Sequence, residues 1–440
     1  MIDSFKLDPY PGKPRILFIG LAESTHTQSW IDLLDQSELN VRLFALPSGL
    51  PPEDWPVRTY VTRGTAVTLN PKTRTRLYPY SPLAHMRAAW ANLDPGTRTR
   101  FFPKSQAGRL LFRLFTRIFL DAAGDFKEKW LAGIIRQWRP DVIHTLGLDP
   151  AGYFYFRTRK RFSLGGIGKW VLQLRGGSDL TLSRLDPEVS PRISQVLCEC
   201  DQLISDNQEN FNFASEMGLR KEQIATLGTV PGTGGIDLAS FSQAWHDPPS
   251  RRYIILWPKA YECPWSKALP VFDAIKLIWD QIQPCKIYML AMNPEARMWY
   301  WALPDQIRQN CCIEDRIPRD RVLELMVHAR VMLAPSLVDG TPNSMFEAMA
   351  AGAFPILSPL ETIRPVFGEE GTVLFARNLY PQEIAEALRR AMTDDALVDR
   401  AAEKNLEIVS RIADRAKIRP RVVEYYKTLA GGKLNGTNIV

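Results

Sequence analysis

Short apolar runs alternate with amphipathic stretches along this chain, and that alternation limits the fold more than any other feature. The first series is RILFIG (15–20), VRLFAL (41–46), DVIHTL (141–146), WVLQLR (170–175) and QLISD (202–206). The second series is YIILWP (253–258), KIYMLA (286–291), VMLAP (331–335) and FPILSP (354–359). Alternating strands and helices predict a parallel sheet covered by helices on both faces. Two series therefore predict an α/β chain of two facing, doubly wound, Rossmann-like domains with a cleft between them.

The domain boundaries follow from length and from one linker-like segment. A chain of 440 residues exceeds what one core usually holds. The segment PGTGGIDLASFSQAWHDPPSRR (231–252) is rich in Gly, Pro and Ser, as turns and linkers are. We expect a first domain over 1–240 and a second over 241–415. A C-terminal helix and tail over 416–440 could pack back on the first domain.

An insertion over 58–120, rich in basic and aromatic residues, interrupts the first series. Within it, SQAGRLLFRLFTRIFL places Arg109, Arg113 and Arg117 on one helix stripe beside apolar positions. Two interpretations stay open, a buried helix with a solvated arginine edge and a basic amphipathic helix on an anionic membrane. The net charge of +7 suits nucleotides, phospholipid head groups or nucleic acid. Nucleic acid is disfavoured because no recognised reader motif accompanies the basic residues.

The cysteines and the N-terminus indicate the compartment. None of the six cysteines forms a Cys-x-x-Cys pair, and no histidine lies at metal-ligand spacing from them. This pattern favours reduced structural thiols and no metal site. The sequence shows no signal-peptide pattern and no apolar run long enough to span a bilayer. We expect a cytoplasmic protein, with peripheral contact to the inner face of a membrane left open.

The stretch VMLAPSLVDGTPNSMFEAMAAGAFPILSP (331–359) predicts a strand, a loop, a helix and a second strand. Ligands of open parallel sheets bind where strands end, and a helix N-terminus near Pro342 suits a phosphate. Asp339 would project into the cleft. Glu347 shares a helix face with Asn343 and Ser344 and could accept hydrogen bonds from sugar hydroxyls. The alternative is that Asp339 caps the helix or the turn and Glu347 pairs with a surface arginine.

The segment PSLVDGTPNSMFEAMAAGAFPI resembles the signature of the retaining glycosyltransferases of family four, which have the GT-B fold. The family pattern is Glu-x7-Glu, and here Asp339 replaces the first glutamate while Glu347 keeps the second. The resemblance implies that the first acid approaches the donor sugar and the second binds the ribose hydroxyls. It also implies donor contacts from Gly340, Thr341, Pro342, Asn343 and Ser344. Aspartate keeps the charge and shortens its reach.

Two further segments resemble donor-binding parts of the family. LWPKAYECPWSKALPVFDAI (256–275) is similar to the segment whose two basic residues hold the donor diphosphate. Lys259 stands where the family has Arg, and Lys267 matches the family's Lys after a longer spacer. In VLQLRGGSDL (171–180), Arg175 stands where many members carry His, and it could bind a phosphate or an acidic sugar. The alternative for either lysine is a solvated surface residue.

The acceptor side is implied by two segments of the first domain. FIGLAESTHTQSW (18–30) matches a loop that family members use there, which makes Gly20 and His26 candidates. A histidine at a helix start is otherwise often a cap. PDVIHTLGLDPAGYF (140–154) is similar to another family segment and adds His144.

The resemblance implies retaining, metal-independent transfer of a sugar from a nucleotide diphosphate sugar to an acceptor hydroxyl, with no cofactor. The acceptor would be a sugar or a lipid-linked group in polysaccharide, glycolipid or other glycoconjugate synthesis. Two rival hypotheses remain. One is a GT-B sugar-nucleotide epimerase. The other is a non-catalytic homologue that binds a nucleotide sugar, which the replacements at Asp339 and Arg175 would suit.

Overall fold

The described part of the chain comprises two parallel-sheet domains. The computed structural model describes residues 10–34, 38–46, 49–61, 75–77, 127–176, 178–242, 247–315, 317–367 and 371–431. Most of the predicted insertion over 58–120 lies outside these ranges. Arg109, Arg113 and Arg117 lie outside the described residues as well, so the two interpretations of their helix stay open.

The first domain is built on an eight-stranded sheet in which all pairings are parallel. The strands are β1 (Arg15–Gly20), β2 (Asn40–Ala45), β3 (Arg58–Val61), β4 (Thr75–Leu77), β5 (Val142–Leu146), β6 (Lys169–Leu174), β7 (Gln202–Ser205) and β8 (Ile224–Thr229). Their order is β4-β3-β2-β1-β5-β6-β7-β8. The strand order reverses between β1 and β5, which is the topological switch point of this domain.

Helices cover both faces of this sheet. They are α1 (Thr25–Ile31), α2 (127–138), α3 (Tyr153–Arg161), α4 (Ser190–Glu199) and α5 (Gln208–Glu216). Short helical turns lie at Leu148–Gly152, Ser178–Leu182, Ser183–Leu185 and Lys221–Gln223. Side chains of β1 alternate between two cores: Leu17 and Ile19 enter one, Ile16 and Phe18 the other. Successive side chains of a strand point to opposite faces of the sheet, and both faces are buried here, which explains why every residue of RILFIG after Arg15 is apolar.

The second domain has a six-stranded sheet, also parallel throughout. The strands are β9 (Ile254–Trp257), β10 (Lys286–Leu290), β11 (Cys311–Glu314), β12 (Ala329–Ala334), β13 (Phe354–Leu357) and β14 (Leu374–Phe375). Their order is β11-β10-β9-β12-β13-β14, with the reversal between β9 and β12. The helices are α6 (Leu238–Ser242), α7 (Leu269–Ile278), α8 (Pro294–Trp301), α9 (Asp305–Arg308), α10 (Arg319–His328), α11 (Asn343–Ala350), α12 (Pro381–Thr393) and α13 (Asp395–Ile412), with short turns at Pro249–Arg251, Trp279–Gln281 and Arg364–Val366.

The last helix, α14 (Arg415–Leu429), belongs to the first domain by its packing. Ile418, Val422 and Tyr426 lie in the same core as Phe18 of β1. The chain therefore crosses between the domains twice. The crossings run side by side, since Ile236 N donates to Ala413 O at 2.7 Å and Arg415 N donates to Ile236 O at 3.0 Å.

The prediction of two doubly wound parallel-sheet domains is confirmed. Every predicted apolar run coincides with a strand to within two residues at each end. The strands β3, β4, β8, β11 and β14 were not predicted. Within the described ranges, no helix is both long enough and apolar enough to cross a membrane.

Candidate functional site in the interdomain cleft

Lys259 and Asp339 form an ion pair at the switch point of the second sheet. Lys259 follows β9 and Asp339 follows β12, the two strands between which the order reverses. Lys259 Nζ lies 2.6 Å from Asp339 Oδ2. The other carboxylate oxygen accepts from Gly340 N at 2.9 Å, and Thr362 Oγ1 donates to the Asp339 carbonyl at 2.8 Å. The structure thus brings together two residues that sequence reasoning selected separately.

The ion pair keeps Lys259 charged. Burial is the largest single effect and favours the neutral amine, but Asp339, with smaller contributions from Tyr261 and Cys263, outweighs it and raises the pKa of Lys259. A lysine ammonium fixed at the carboxyl edge of a sheet is a strong point charge for a phosphate. The pair can therefore offer a cation to a bound diphosphate while Asp339 stays beside it.

Helix α11 begins directly after this pair, with Pro342 at its N-cap position and Asn343 as its first residue. The first backbone N–H groups of a helix have no partner within the helix, and its dipole favours an anion there. Pro342, Asn343 and Ser344 are half-buried, so ligand and solvent can both reach this end. Thr341 is buried and donates through Oγ1 to Thr362 O at 3.2 Å, which makes it a support of the loop.

The two domains touch at a pair of glycines. A Cβ added to Gly340 would lie 2.5 Å from the Cα of Gly176 and 2.8 Å from Asp206 Oδ2. Gly176 N in turn donates to Asp206 Oδ2 at 3.2 Å. Only a residue without a side chain permits this approach at position 340. The cleft is accordingly closed at this point, next to the Lys259–Asp339 pair.

A second contact across the cleft links Asn343 to the first domain. Asn343 Nδ2 lies 3.2 Å from His26 Nδ1, and Asn343 Oδ1 accepts from Thr233 Oγ1 at 2.8 Å. Burial against the cleft walls, together with the charges of Arg175, Lys259 and Arg319, lowers the pKa of His26 to about 4. His26 is therefore neutral at pH 7, and its Nδ1 can accept the amide hydrogen of Asn343.

Arg175 lies behind the glycine contact. Its Nη2 donates to Gln173 Oε1 at 3.1 Å, and its buried Nε finds no hydrogen-bond partner among the residues that the structure describes. Burial lowers the pKa of Arg175 to about 10, so it stays a cation at pH 7. Burial also raises the pKa values of Asp179 and Asp206, each to about 6. Arg175 thus adds positive charge to the cleft from the first domain.

Glu347 lies on α11 and is paired with Arg319. Glu347 Oε1 accepts from Arg319 Nη2 at 2.6 Å, and the Glu347 side chain is only 12% exposed. Burial raises the pKa of Glu347, and Arg319 opposes that rise. The pairing with an arginine is the alternative that the sequence left open, and the ribose contact stays a prediction. Sequence reasoning did not select Arg319. The sequence signal for it is a basic residue directly after Pro318, at the first position of helix α10.

Lys267 points to a different partner. Its Nζ lies 2.9 Å from Glu262 Oε1. The Lys267 backbone N–H donates to Asn378 Oδ1, and the Lys267 carbonyl accepts from Asn378 Nδ2. The structure therefore anchors Lys267 beside Glu262 and does not join it to the Lys259–Asp339 pair. A direct diphosphate contact from Lys267 stays a prediction.

The acceptor-side candidates of β1 and β5 lie in the interior. Gly20 ends β1 and is buried, and a Cβ there would lie 3.1 Å from the Cβ of Leu146. His144 is fully buried, with Nδ1 2.5 Å from the Tyr426 hydroxyl and its ring against Phe18. This placement gives the proposed acceptor contact of His144 no support, whereas His26 does reach the cleft. The Tyr426 contact comes from a helix at the other end of the chain and could not be read from local sequence.

Over the described ranges, no three His, Cys, Asp or Glu side chains are grouped so that they could hold a metal ion.

The comparisons with known proteins concern the second domain and the fold. Residues 253–394, which form most of the second domain, match the family described as glycosyl transferases group 1. No curated protein matches the chain by sequence.

Solved structures resemble the whole chain. The HepE protein of Anabaena, in complex with UDP and glucose, is 11% identical, with a TM-score of 0.61 over 94% of this chain and 99% of its own. The sucrose-phosphate synthase of Thermosynechococcus elongatus is 14% identical, with a TM-score of 0.63 over 95% and 99%. A UDP-forming trehalose-phosphate synthase of Burkholderia xenovorans is 12% identical, with a TM-score of 0.62 over 95% and 100%. The fold is therefore the two-domain GT-B arrangement.

Proposed function

We propose that this chain is a glycosyltransferase that moves a sugar from a nucleotide diphosphate sugar to an acceptor hydroxyl with retention of configuration. The observation that carries the proposal is the Lys259–Asp339 pair beside the N-terminus of α11, at the switch point of a domain that matches the group 1 family. A fixed cation, a helix N-terminus and a carboxylate meet at one edge of the sheet, and this combination suits a diphosphate sugar.

Each group of the site has a part in the proposed reaction. The Lys259 ammonium and the N–H groups of Asn343 and Ser344 would bind the diphosphate and stabilise the charge that develops as it leaves. Asp339 would approach the sugar, and Glu347 would accept hydrogen bonds from the ribose. Arg175 would add charge from the first domain. None of these contributions needs a metal ion or a cofactor.

The transfer balances without a protein base. The bond between the anomeric carbon and the diphosphate oxygen breaks, and a bond from the acceptor oxygen to the same face of that carbon forms. The acceptor proton passes to the departing diphosphate. Closure at Gly176 and Gly340 would exclude water, which would otherwise hydrolyse the donor.

A uridine nucleotide is the first donor to test. The HepE structures hold UDP, glucose and UDP-glucose, and the trehalose-phosphate synthase is named as UDP-forming. For the acceptor we propose a sugar or a lipid-linked group in polysaccharide or glycolipid synthesis. We propose a cytoplasmic site of action, with peripheral contact to the inner face of a membrane as the arrangement to examine by vesicle co-sedimentation.

The test is donor binding and turnover. UDP-glucose and a panel of other nucleotide sugars are titrated by calorimetry into the wild type and Lys259→Ala. The exposed Lys276, which pairs with Asp273 on α7, supplies the control Lys276→Ala. We expect at least one donor to bind, with roughly a hundredfold weaker binding in Lys259→Ala only.

Other outcomes decide between the alternatives. No donor bound by the wild type would contradict the proposal. An epimerised sugar formed without an acceptor would support the epimerase, and tight binding without transfer or hydrolysis would support the non-catalytic homologue.

A further inference from the structure

Arg319 reaches from the start of α10 to the carboxylate of Glu347. The contact of 2.6 Å uses one guanidinium nitrogen and one carboxylate oxygen. The Arg319 side chain is 46% exposed. It also lines a cavity of about 310 Å³, together with Thr25 of α1 and Arg415 of α14. One end of Arg319 therefore holds Glu347, while the rest of the side chain faces the space between the domains.

The charge of Glu347 depends on this one partner. Burial favours the neutral acid, and Arg319 is the charged group that opposes it in the part of the chain that the structure describes. Arg321, two residues further along α10, contacts Glu314 and Glu324 instead. A carboxylate so buried would be far less ionised without Arg319.

We propose that Arg319 is a positioning residue for the donor nucleoside: it orients the Glu347 carboxylate and balances its charge, so that the second oxygen faces the ribose hydroxyls. The inference rests on the proposed function, which supplies the nucleotide. Arg319 occupies Oε1 and leaves Oε2 for the ligand.

The hydrogen-bonding chemistry of the Glu347 carboxylate and the ribose hydroxyls explains why the charge of Glu347 matters. An ionised carboxylate only accepts hydrogen bonds and has about four acceptor positions on its two oxygens. Ribose hydroxyls can donate to it at Oε2 while Arg319 donates at Oε1. A protonated Glu347 would place its own hydrogen on one of these positions. Binding of the ribose therefore favours the anion and weakens as Glu347 takes up a proton.

The experiment follows UDP binding by calorimetry between pH 5 and 8 in the wild type, Arg319→Gln, Arg319→Lys and Arg321→Gln. In every protein, affinity falls as the pH falls through the ionisation of Glu347. We expect the midpoint in Arg319→Gln to lie roughly 1–2 pH units higher, which makes binding about tenfold weaker near pH 6. Arg319→Lys should restore most of the affinity, and Arg321→Gln should follow the wild type.

Two controls assign the effect to Glu347 and the ribose. In the Glu347→Gln background, Arg319→Gln should no longer move the midpoint. With 2′,3′-dideoxy-UDP, which lacks the ribose hydroxyls, the difference between wild type and Arg319→Gln should disappear. Asp179 and Asp206 titrate in the same experiment but are present in every protein compared and cancel. The charge of Arg319 also lowers the pKa of His26, so Arg319→Gln changes the titration of His26 as well. The Glu347→Gln background keeps His26 and therefore separates its contribution from that of Glu347.

Equal midpoints in the wild type and Arg319→Gln would overturn the inference. If the wild type binds no UDP, the proposed use of a uridine donor fails, and urea unfolding between pH 4.5 and 8 still tests Arg319. Loss of Arg319 raises the folded-state pKa of Glu347 further, so Arg319→Gln should lose stability relative to the wild type as the pH rises. That loss should be absent in the Glu347→Gln background, and a constant difference across this pH range would overturn the inference by itself.

Discussion

Gly340 of the second domain lies so close to Gly176 of the first that a methyl group on Gly340 would come within 2.5 Å of the Gly176 Cα. The contact joins backbone to backbone, so no flexible side chain can move aside to relieve a clash. Gly340 directly follows Asp339 in the sequence, and Gly176 directly follows Arg175. The closed cleft therefore depends on a glycine in the donor loop.

Gly340→Ala should hold the cleft partly open. The added methyl group would clash with the Gly176 backbone and with Asp206 Oδ2, so the domains must separate by about the size of a methyl group. We expect transfer to fall roughly a hundredfold, since misplacement by about 1 Å has effects of this size, while UDP binding to the second domain changes little. The kcat of transfer and the dissociation constant of UDP, each measured for Gly340→Ala and the wild type, separate the two effects.

Gly133→Ala is the matched control for that variant. Gly133 lies in α2, and a Cβ there would meet nothing within 4 Å. Alanine in a helix interior should leave transfer unchanged and stabilise by up to about 1 kcal/mol. Equal loss of UDP binding and transfer in Gly340→Ala would contradict a role in closure.

Asp339→Asn should make donor binding sensitive to alkaline pH. In the wild type, Asp339 offsets the burial of Lys259 and raises the pKa of that lysine. With asparagine, burial is opposed only by the smaller effects of Tyr261 and Cys263, so the pKa of Lys259 should fall below its value in the wild type. A lysine that is charged only below this lowered pKa loses its attraction for a diphosphate as the pH rises through it.

Calorimetry with UDP from pH 7 to 10 measures this change. We expect the loss of affinity to begin at a lower pH in Asp339→Asn than in the wild type. Asp273→Asn provides the control, because Asp273 pairs with Lys276 on the surface of α7. If UDP affinity falls over the same pH range in Asp339→Asn as in the wild type, the pKa of Lys259 does not depend on Asp339.

The strands that the sequence predicted all have neighbours on both sides, although β3, which also has two neighbours, was missed. β1, β5 and β9 are covered by helices on both faces and are mostly apolar, which gives a strong signal. β11 is an edge strand whose residues are all half-buried, and β14 has only two residues. Such strands bury too little apolar surface to give a periodic pattern. β8, with polar and exposed positions, was missed for the same reason.

In the site, contacts that follow from local sequence could be predicted, and contacts between residues far apart in the sequence could not. Lys259 and Asp339 could be predicted to meet because both follow strands, and the carboxyl ends of parallel strands share one edge. The Gly176–Gly340 contact depends on how the domains close, and no local pattern records that. His144 illustrates the limit, since its partner Tyr426 is 282 residues away on a helix that returns to the first domain.

Tyr426→Phe should destabilise the first domain. The Tyr426 hydroxyl contacts His144 Nδ1 and accepts from Trp30 Nε1 at 3.1 Å, all within the core. Phenylalanine keeps the packing but leaves both partners without a hydrogen bond, at a cost of about 2 kcal/mol. Urea unfolding measures the difference.

Tyr425→Phe is the control for this loss. The buried Tyr425 hydroxyl has no hydrogen-bond partner among the described residues, so its removal should be neutral or slightly stabilising. Equal destabilisation by both substitutions would mean that the hydroxyl of Tyr426 contributes only through packing.

His144 should make the protein less stable in mild acid. Burial, with a smaller contribution from Arg175, holds the pKa of His144 well below its ordinary value. The unfolded chain takes up a proton near pH 6.5 that the folded chain cannot accept, so stability from this residue is complete above that pH. It is lost as the pH falls, by up to about 1.4 kcal/mol per pH unit.

His144→Asn removes this dependence, because asparagine does not titrate and its side-chain amide can take the place of Nδ1. Urea unfolding of both proteins at pH 7.5 and pH 5 isolates the effect. The asparagine variant should be the less stable at pH 7.5, and the gap should narrow by roughly 2 kcal/mol at pH 5. His26, Asp179 and Asp206 also titrate over this range but are common to both proteins. A stability difference between the two proteins that is the same at pH 7.5 and pH 5 would contradict the prediction. It would mean that His144 binds its proton equally well in the folded and unfolded chain.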